Sequence, residues 1–508
     1  MYKVPKKPVG AFLNFDRPSL SVGKGQDMQT RYDAVKNEFS GVFADMSDFS
    51  FRELVFGENR IFIAYISNYS SKSMINKYVI EPISYAYENG TAKFPLESVI
   101  TNVKVEALAD FAAAEQAILA GNAVVFYDGY ETGYGISVFT KNEEGRSTSE
   151  PETENVIRGP HEGFTESAEN NAMLLRRRLH TSRLKKKSMT VGSVSGTDVA
   201  VMYIDGIADM KTVDEVCRRI SGIQTDAILD SGYIEIFIQD GKMPLYPTVG
   251  NSERPDKVAA KLLEGRVAVL VDGSPVVLTV PYLFCEAFQV TEDYSKSPWY
   301  ATFIRIIRFF SFLTALYLPA LFVALFVRHR ELLPEYMISM VEKARNSLPF
   351  SLFWEVIIIF LLFEVVREVG LRMPKAVGSA VGLVGSLILG DSAIEAGIAS
   401  APVLIVVALA AVCNFIVPPY MNSNILYRFL MIVVSGVFGL FGFFAAIVIS
   451  LLHMCMKSSA GVPYFSPFAP VDFSGLKDFL LMAPLWAMKR VPVSISRKSI
   501  TRTEGDKK

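Results

Sequence analysis

The sequence predicts an α/β cytoplasmic region of two related subdomains, followed by an all-α polytopic transmembrane bundle. Residues before Tyr300 have the composition of a soluble α/β protein, whereas apolar runs follow one another from Phe309 onward. Within the first part, residues 117–129 (AILAGNAVVFYDG) match residues 261–273 (KLLEGRVAVLVDG). The change of composition predicts the membrane region, and the internal repeat predicts the two subdomains.

Each copy of the repeat reads as the end of a helix, a glycine turn, a β-rich run and a closing Asp-Gly. Upstream, residues 60–83 and 199–220 each begin as an apolar strand and continue through a polar turn into a helical pattern. The shared order favours two related subdomains over a chance match of a common unit. The predicted divisions are an N-terminal extension (1–55), α/β subdomain 1 (56–148), a polar linker with an Arg-Gly-Pro motif and a helix (149–190), α/β subdomain 2 (191–295), a transmembrane bundle (300–455) and a C-terminal cytoplasmic tail (456–508).

Four apolar runs are long enough to cross a hydrocarbon layer of about 30 Å as helices. They cover residues 309–327, 349–366, 400–417 and 428–453. Residues 376–390 are apolar but short and glycine-rich, which favours a re-entrant or broken helix. Because the first residues lack the apolar segment of a signal peptide, the α/β region is expected in the cytoplasm, with four spans and both termini inside.

The second apolar run carries charges that are costly at bilayer depth unless they face protein or water. The charged residues in or beside this run are Glu355, Glu364, Arg367, Glu368 and Arg372. Glu364 lies one turn from both Arg367 and Glu368, so pairs on one helix face are available. An ion path and a salt-bridge network between subunits both fit these residues, and the alternation of opposite charges favours the structural network.

The glycine-rich segment 376–391 predicts a pore-lining helix when it is placed on a helical wheel. One face carries small residues for close helix packing, namely Gly378, Gly382 and Gly385. The opposite face carries the candidate pore-lining residues Ala380, Leu383, Val384, Leu387 and Asp391. Around an axis shared by several copies, Leu383 or Leu387 would form an apolar gate, and Asp391 a carboxylate ring that favours cations. In a monomeric bundle the glycines would serve packing and Leu387 would meet lipid.

Composition and motifs argue against several other classes of protein. The net charge of −1 implies no nucleic-acid partner. The four cysteines and four histidines show no ligand-like spacing, so we expect no metal and no cofactor. No GxSxG, Walker A, HExxH or GxGxxG sequence occurs in the α/β region, so an enzyme is not expected. A scaffold without a pore fits the same helices and is the harder alternative to exclude.

Two short motifs stand out in the α/β region. Arg158, Gly159 and Pro160 form a turn unit. In the segment 251–257 (NSERPDK), Pro255 suits the first turn of a helix and Asp256 its positive end, whereas Arg254, which follows Glu253, has no local explanation and is a candidate interface anchor. The basic run 184–187 (LKKK) is interpreted either as a contact with lipid headgroups or an acidic partner, or as a solvated surface.

Four segments together resemble the GerA family, the A subunits of bacterial spore germinant receptors. They are RGPHEGF at 158–164, NSERPDKVAAKLLEGRVAVLVDGSPVVLTVP at 251–281, EVVREVGLRMPKAVGSAVGLVGSLILGDSAIEAG at 364–397 and PYFSPF at 463–468. The resemblance extends in order from about residue 60 to residue 470. The first 55 residues and the C-terminal tail carry no usable resemblance.

The resemblance implies a multi-pass protein of the spore inner membrane, with its α/β region on the core side. It implies a transporter-like B subunit that binds nutrient and a lipoprotein C subunit as partners. It further implies a homo-oligomer, most readily a pentamer, that forms a nutrient-gated cation channel in spore germination. An accessory, SpoVAF-like germination channel is an alternative role within the same resemblance, and a non-conducting scaffold or a transporter component is the alternative outside it.

Overall fold

The computed structural model describes residues 28–56, 59–89, 96–102, 104–127, 133–141, 150–151, 153–154, 156, 158–241, 244–346, 348–372, 390–476, 478–479, 481–484 and 493–496. The chain divides into two compact units. The first, here called the α/β unit, comprises Met1–Gln239, Val249–Pro281 and Met488–Lys508. The second, here called the apolar unit, comprises Asp240–Thr248 and Tyr282–Ala487.

The α/β unit contains two five-stranded antiparallel sheets with the same strand order. In subdomain 1 the order is β1-β2-β4-β5-β3, and in subdomain 2 it is β6-β7-β9-β10-β8. The strands are β1 (Phe49–Phe56), β2 (Asn59–Ile66), β3 (Val105–Ala107), β4 (Ala123–Tyr127), β5 (Ile136–Val138), β6 (Leu184–Val191), β7 (Thr197–Ile204), β8 (Gly250–Ser252), β9 (Val267–Val271) and β10 (Val277–Val280). The repeat found in the sequence contains β4 in one copy and β9 in the other, and these strands take the same place in their sheets.

Helices cover the sheets because the central strands are apolar on both faces. All five residues of β4 and all five of β9 are buried, as expected for strands with a covered face on each side. The helices of the α/β unit are α1 (Met28–Val42), α2 (Lys72–Ile75), α3 (Glu81–Glu88), α4 (Phe111–Leu119), α5 (Ala168–Arg178), α6 (Met210–Ser221), α7 (Ser231–Ile238) and α8 (Pro255–Leu263). In subdomain 1, one apolar core contains residues of α1 and α4, and a separate core on the same sheet contains residues of the stretch from α2 to α3.

Two predicted boundaries of the α/β unit are wrong. The predicted N-terminal extension contains α1 and most of β1, and Tyr32, Phe39 and Phe43 lie in the core of subdomain 1. The predicted polar linker contains α5 and all but the last residue of β6, which belong to subdomain 2. Charge misled the second interpretation. The strand β6 pairs with β7 along its whole length, and such a strand can bury the stems of lysines while satisfying its backbone.

The basic run 184–187 is therefore neither a membrane contact nor a solvated surface. Lys185 and Lys186 are buried in β6, with 9% and 7% of their surfaces exposed. The Lys185 ammonium donates to the carbonyl of Val42, 2.9 Å away. The backbone of Lys186 pairs with residues 45 and 47, so the chain between α1 and β1 is joined to the sheet of subdomain 2.

The apolar unit is built from long helices. They are α9 (Pro298–Val323), α10 (Glu335–Arg345), α11 (Leu352–Arg372), α12 (Ala401–Asn414) and α13 (Met421–Met456), with the short helix α14 (Phe473–Leu476) in the chain that follows. Among the described residues, two stretches are long and apolar enough to cross a membrane by length and composition, Pro298–Arg328 and Pro418–Met456. Val323, Val356, Val403 and Ile432 meet in one core that joins α9, α11, α12 and α13.

One glycine turns α13 into a hairpin of two antiparallel helices. Gly439 has φ 63° and ψ −144°, which no helix residue adopts. The rings of Tyr427 and His453 lie 6.3 Å apart, whereas 26 residues of straight helix would separate them by about 39 Å. The prediction of one uninterrupted helix over 428–453 is therefore wrong at Gly439. Each arm has roughly 17 residues, which is close to the length of one membrane pass.

Contacts define two ends of the apolar unit. At the near end, Tyr420 packs on Phe312 of α9, and its hydroxyl lies 3.0 Å from that of Tyr464. At the far end, a Cβ on Gly439 would lie 2.4 Å from the ring of His329, just after α9. The two arms of α13 thus both have their open ends at the near end.

The other helices can be placed between the same two ends. Early in α11, Phe353 lies against Gly436, close to the hairpin turn at the far end. Later in α11, Glu364 binds Arg428, which is closer to the near end. The helix α11 therefore runs from the far end to the near end. The helix α12 begins at the far end, where Ser400 meets Glu355, and finishes where Asn414 donates to the carbonyl of Met421. The end of α11 and the start of α12 therefore lie at opposite ends of the unit.

The predicted C-terminal tail is divided between the two units. Residues up to Ala487 belong to the apolar unit, where β11 (Ser458–Ser459) and β12 (Val462–Pro463) form a small hairpin. The short helix α15 (Val493–Ser496) belongs to the α/β unit, and Ser496 lies 3.3 Å from the position of a Cβ on Gly265.

Candidate functional site

Most of the predicted pore helix lies outside the described residues. This holds for Ala380, Leu383, Val384 and Leu387, and for the packing glycines Gly378, Gly382 and Gly385. Asp391 is described, and its side chain is exposed on the helical stretch 390–395. The assignment of these residues to a pore remains a prediction.

Glu355 lies at the far end of the apolar unit, fully buried where three elements meet. Its Oε1 accepts hydrogen bonds from the backbone N and the hydroxyl of Ser400, each 2.6 Å long. Its Oε2 accepts a hydrogen bond from Nε of Arg345, 2.9 Å away. Because Ser400 is the N-cap of α12, the carboxylate meets the positive end of that helix as well as a guanidinium. Glu355 thus connects the start of α12 to α11 and α10.

Glu364, Arg367 and Arg428 form a second charge group, in which Arg428 is buried and the other two are partly buried. The Arg428 guanidinium is 2% exposed, donates to Oε1 of Glu364 at 2.6 Å, and lies 4.8 Å from the centre of the Phe360 ring. Arg367 Nε lies 2.8 Å from Glu364 Oε2, an ion-pair distance without an aligned hydrogen bond. Two guanidinium groups share one carboxylate, so this group carries an excess positive charge.

The remaining charges of α11 form an exposed pair. Arg372 Nε donates to Oε1 of Glu368 over 2.8 Å, one helical turn away, and both side chains are more than half exposed. An exposed pair of this kind contributes about 0.3–0.5 kcal/mol. Glu368 and Arg372 are therefore separate from the buried groups of Glu355 and Glu364.

The Arg-Gly-Pro turn and the 251–257 motif lie together in the α/β unit. A Cβ on Gly159 would lie 3.4 Å from Nη2 of Arg254, while Arg158 and Pro160 are exposed. Arg254 is 2% exposed and pairs with Asp256 at 2.6 Å, and Pro255 opens α8 as predicted. Because Arg254 is buried against its own helix, the structure gives it a local partner that the sequence did not reveal.

Glu253 and Glu154 connect the same motif to the chain that precedes the Arg-Gly-Pro turn. The Glu253 carboxylate accepts a hydrogen bond of 2.7 Å from the Thr153 hydroxyl, and its carbonyl accepts one of 2.8 Å from Phe164 N. Glu154 accepts from the Ser252 hydroxyl and from the Lys257 ammonium. Burial acts to raise the pKa of Glu154, but the Lys257 charge and these hydrogen bonds outweigh it, so the pKa is lowered.

We expect Glu154→Gln to weaken the α/β unit by about 1.5–3 kcal/mol at pH 7, the range for hydrogen bonds to a charged group. Since the folded-state pKa is lowered, this stabilisation is present above the unfolded value of about 4.3 and is lost as the pH falls through the folded value. Unfolding followed by circular dichroism from pH 3 to pH 7 measures both effects. Glu150→Gln is the control, because Glu150 is 70% exposed beside His161. Equal losses from the two variants would contradict the assignment.

Two features of the apolar unit were missed in the sequence. Arg305 is fully buried and binds Asp293 at 3.0 Å and Asp478 at 2.9 Å, while Arg308 binds Asp293 at 2.6 Å. Two arginines three residues apart, directly before an apolar run, were the available signal. Their acidic partners could not be paired with them, because Asp478 lies far along the chain.

The second missed feature is the segment 240–248, which belongs to the apolar unit although the chain on both sides belongs to the α/β unit. Its Tyr246 is fully buried, with ring centres 5.3 Å from Tyr420 and 4.9 Å from Tyr427. The Ser459 hydroxyl donates to the carbonyl of Thr248 at 2.5 Å. Residues 240–248, which the sequence placed within subdomain 2, therefore contact the near end of the α13 hairpin.

The chain combines an α/β unit that contains two sheets of the same strand order with an apolar helical unit. Two stretches of the apolar unit are long and apolar enough to cross a membrane, which is the architecture of a candidate membrane protein. A family model described as Bacillus/Clostridium GerA spore germination protein matches residues 37–494. The chain therefore belongs to the GerA family of spore germination proteins, which confirms the resemblance seen in the sequence.

Several curated proteins are similar to this chain along most of its length. Spore germination protein KA of Bacillus subtilis is 38% identical over 91% of this chain and 86% of its own length. The uncharacterized membrane protein YfkQ of Bacillus subtilis is 38% identical over 89% of this chain and 88% of its own. Spore germination protein GerLA of Bacillus cereus is 32% identical over 94% of this chain and 99% of its own.

One solved structure also matches part of the chain. It is the crystal structure of the N-terminal domain of the A subunit of the Bacillus megaterium spore germinant receptor GerK3. It is 29% identical, with a TM-score of 0.38, and covers 49% of this chain and 94% of that chain.

Proposed function

We propose that this chain is the A-type membrane subunit of a spore nutrient germinant receptor and that several copies, most simply five, form a nutrient-gated cation channel. The single observation that carries the receptor role is membership of the GerA family over residues 37–494. In this proposal the chain acts with a transporter-like B subunit and a lipoprotein C subunit in the spore inner membrane. The α/β unit lies on the core side, and the protein is not an enzyme.

The alternation of helices between the two ends supports a multi-pass topology. The chain passes from near to far in α9, from far to near in α11 and α12, and twice more in the arms of α13. Among the described residues these are five passes, where the sequence predicted four spans, because the last predicted span is a hairpin of two arms.

The distribution of charge supports a pore near the predicted segment 376–391. Glu355 has arginine and helix-end partners, and Glu364 has two arginines, so neither carboxylate is available to line a cation path. Asp391 is exposed at the end of the segment. An exposed carboxylate repeated around an axis would attract cations at the mouth of the pore, whereas the paired glutamates stabilise the surrounding helices.

The gate is tested by changing the size of Leu387 in spores and following potassium release. We expect Leu387→Ala to release potassium without nutrient, because a smaller apolar ring lets water enter the constriction, and Leu387→Trp to block release when nutrient is added. Leu409→Ala is the control, since Leu409 is an exposed leucine of α12 that would face lipid. All variants are compared at equal protein levels.

Release like that of the unmodified protein from both Leu387 variants would remove this helix from the pore and favour a non-conducting scaffold. Leakage from Leu409→Ala as large as that from Leu387→Ala would indicate general damage to the membrane region rather than a gate. Leakage confined to the Leu387→Ala variant, with block by Leu387→Trp, would support the channel.

A further inference from the structure

A polar cavity lies between the two subdomains of the α/β unit. Its volume is about 160 Å³. Subdomain 1 contributes the turn after β2, including Asn68 and Tyr69, and subdomain 2 contributes α5 and β6, including Arg176 and Lys186. The cavity is far from the predicted pore segment in sequence and plays no part in the function proposed above.

Most of the charged groups around the cavity already have partners. Arg176 binds Asp48 through two hydrogen bonds, of 2.6 Å from Nε and 2.7 Å from Nη2, and both side chains are buried. The Asn68 amide donates to the carboxylate of Glu169. These contacts join the two subdomains and neutralise Asp48, whereas Glu169 keeps its negative charge.

Lys186 has no such partner. It is 7% exposed, it lines the cavity, and among the described residues no hydrogen bond or ion pair reaches its ammonium. The stem of Lys186 is buried while its ammonium reaches the cavity without a counter-charge, so it can pair with an anion. The cavity lining holds three cationic side chains (Lys72, Arg176 and Lys186) and two anionic ones (Asp48 and Glu169), so it carries one excess positive charge.

Tyr69 adds a hydrogen-bond donor at the same place. It is 1% exposed and lines the cavity, and its buried hydroxyl has no hydrogen-bond partner among the described residues. Burial raises the pKa of Tyr69, with smaller opposing effects of Arg177 and Arg176, so the phenol stays protonated and can donate. A buried donor and a nearby ammonium, neither with a partner among the described residues, together favour one acceptor with negative charge.

We propose that this cavity binds a small oxyanion, carried by a carboxylate or an inorganic phosphate, with Lys186 as its main counter-charge and Tyr69 as a hydrogen-bond donor. The volume admits a molecule of a few heavy atoms and excludes a nucleotide, because ligand pockets for larger molecules run to about 300–1,000 Å³. Since the lining comes from both subdomains, a bound anion would strengthen the contact between them.

The test uses the full-length protein in detergent micelles and isothermal titration with sodium phosphate or sodium lactate, at ionic strength matched with sodium chloride. Binding of one of the two probes identifies the source of the oxyanion. We expect Lys186→Met to weaken this binding at least tenfold. The control is Lys187→Met, the next residue of β6, which does not line the cavity and lies 3.9 Å from Asp214. We expect the affinity of this control to stay within twofold of the unmodified protein.

Tyr69→Phe keeps the inference testable if Lys186→Met does not fold, because it removes a single oxygen from the cavity wall. We expect it to weaken binding about three- to tenfold, the loss of one hydrogen bond of about 1 kcal/mol. No heat of binding with either probe, or equal losses from Lys186→Met and Lys187→Met, would overturn the proposal. These results are independent of potassium release, so the cavity and the channel can fail separately.

Discussion

Replacing Glu355 with Ala is expected to lower the free energy of unfolding of the apolar unit by about 3–5 kcal/mol, because it leaves the buried partners of the carboxylate without an acceptor. Arg345 would lose its ion pair, and the start of α12 would lose the acceptor for both the N–H and the hydroxyl of Ser400. The measurement is thermal unfolding of the full-length protein in detergent micelles, followed by tryptophan fluorescence.

Two further variants separate the charge of Glu355 from its hydrogen bonds. Glu355→Gln keeps an acceptor for Ser400 but removes the ion pair with Arg345, so we expect a loss smaller than that of Glu355→Ala. Glu368→Gln is the matched control, because Glu368 forms an exposed pair on the same helix and should change stability by about 0.5 kcal/mol or less. A loss from Glu368→Gln equal to that from Glu355→Ala would contradict the role of burial.

The duplicated α/β architecture was accessible from the sequence because the repeat lies in buried strands. The residues of β4 and β9 must be apolar on both faces, so the two strands keep similar sequences. This similarity predicts two related sheets. The charged residues at the boundaries gave no such signal. Lysines such as Lys185 and Lys186 are typical of a solvated surface. The pairing of β6 with β7 explains how this lysine-rich strand can be buried.

The charge groups of the apolar unit illustrate what local sequence reasoning leaves out. Glu364 and Arg367 could be paired in advance, because they lie one turn apart on a single helix. Their third member, Arg428, lies on another helix and is brought to Glu364 only by the packing of α11 against α13. Long-range partners of this kind depend on the topology, and the topology here depends on a hairpin that apolar periodicity does not signal.

Replacing Gly439 with Ala is expected to open or misfold the α13 hairpin, with a loss of about 3 kcal/mol or more in stability. The backbone at Gly439 has φ 63° and ψ −144°, a region that is almost confined to glycine. A Cβ there would also lie 2.4 Å from Cε1 of His329 and 2.9 Å from Cβ of Arg328. Backbone strain and steric overlap therefore act together at the turn.

The hairpin itself can be measured by cross-linking Tyr427→Cys to His453→Cys in a background whose four native cysteines are replaced by serine. We expect a short bifunctional reagent to join the two positions when Gly439 is present, since the two rings lie 6.3 Å apart. We expect the yield to fall at least several-fold when Gly439→Ala is added. A straight helix would hold the two positions about 39 Å apart and give no cross-link in either protein.

The control for Gly439→Ala is Gly370→Ala, because Gly370 lies within α11 and a Cβ there would meet nothing within 4 Å. A helical glycine with open space around it should gain about 0.5–1 kcal/mol on replacement by alanine. Adding His329→Ala to Gly439→Ala removes the ring overlap, so partial recovery of the cross-link would assign the remaining loss to the strained φ and the contact with Cβ of Arg328. A normal cross-link in Gly439→Ala would mean that the chain reverses without help from glycine, and the structural role given to Gly439 would then be wrong.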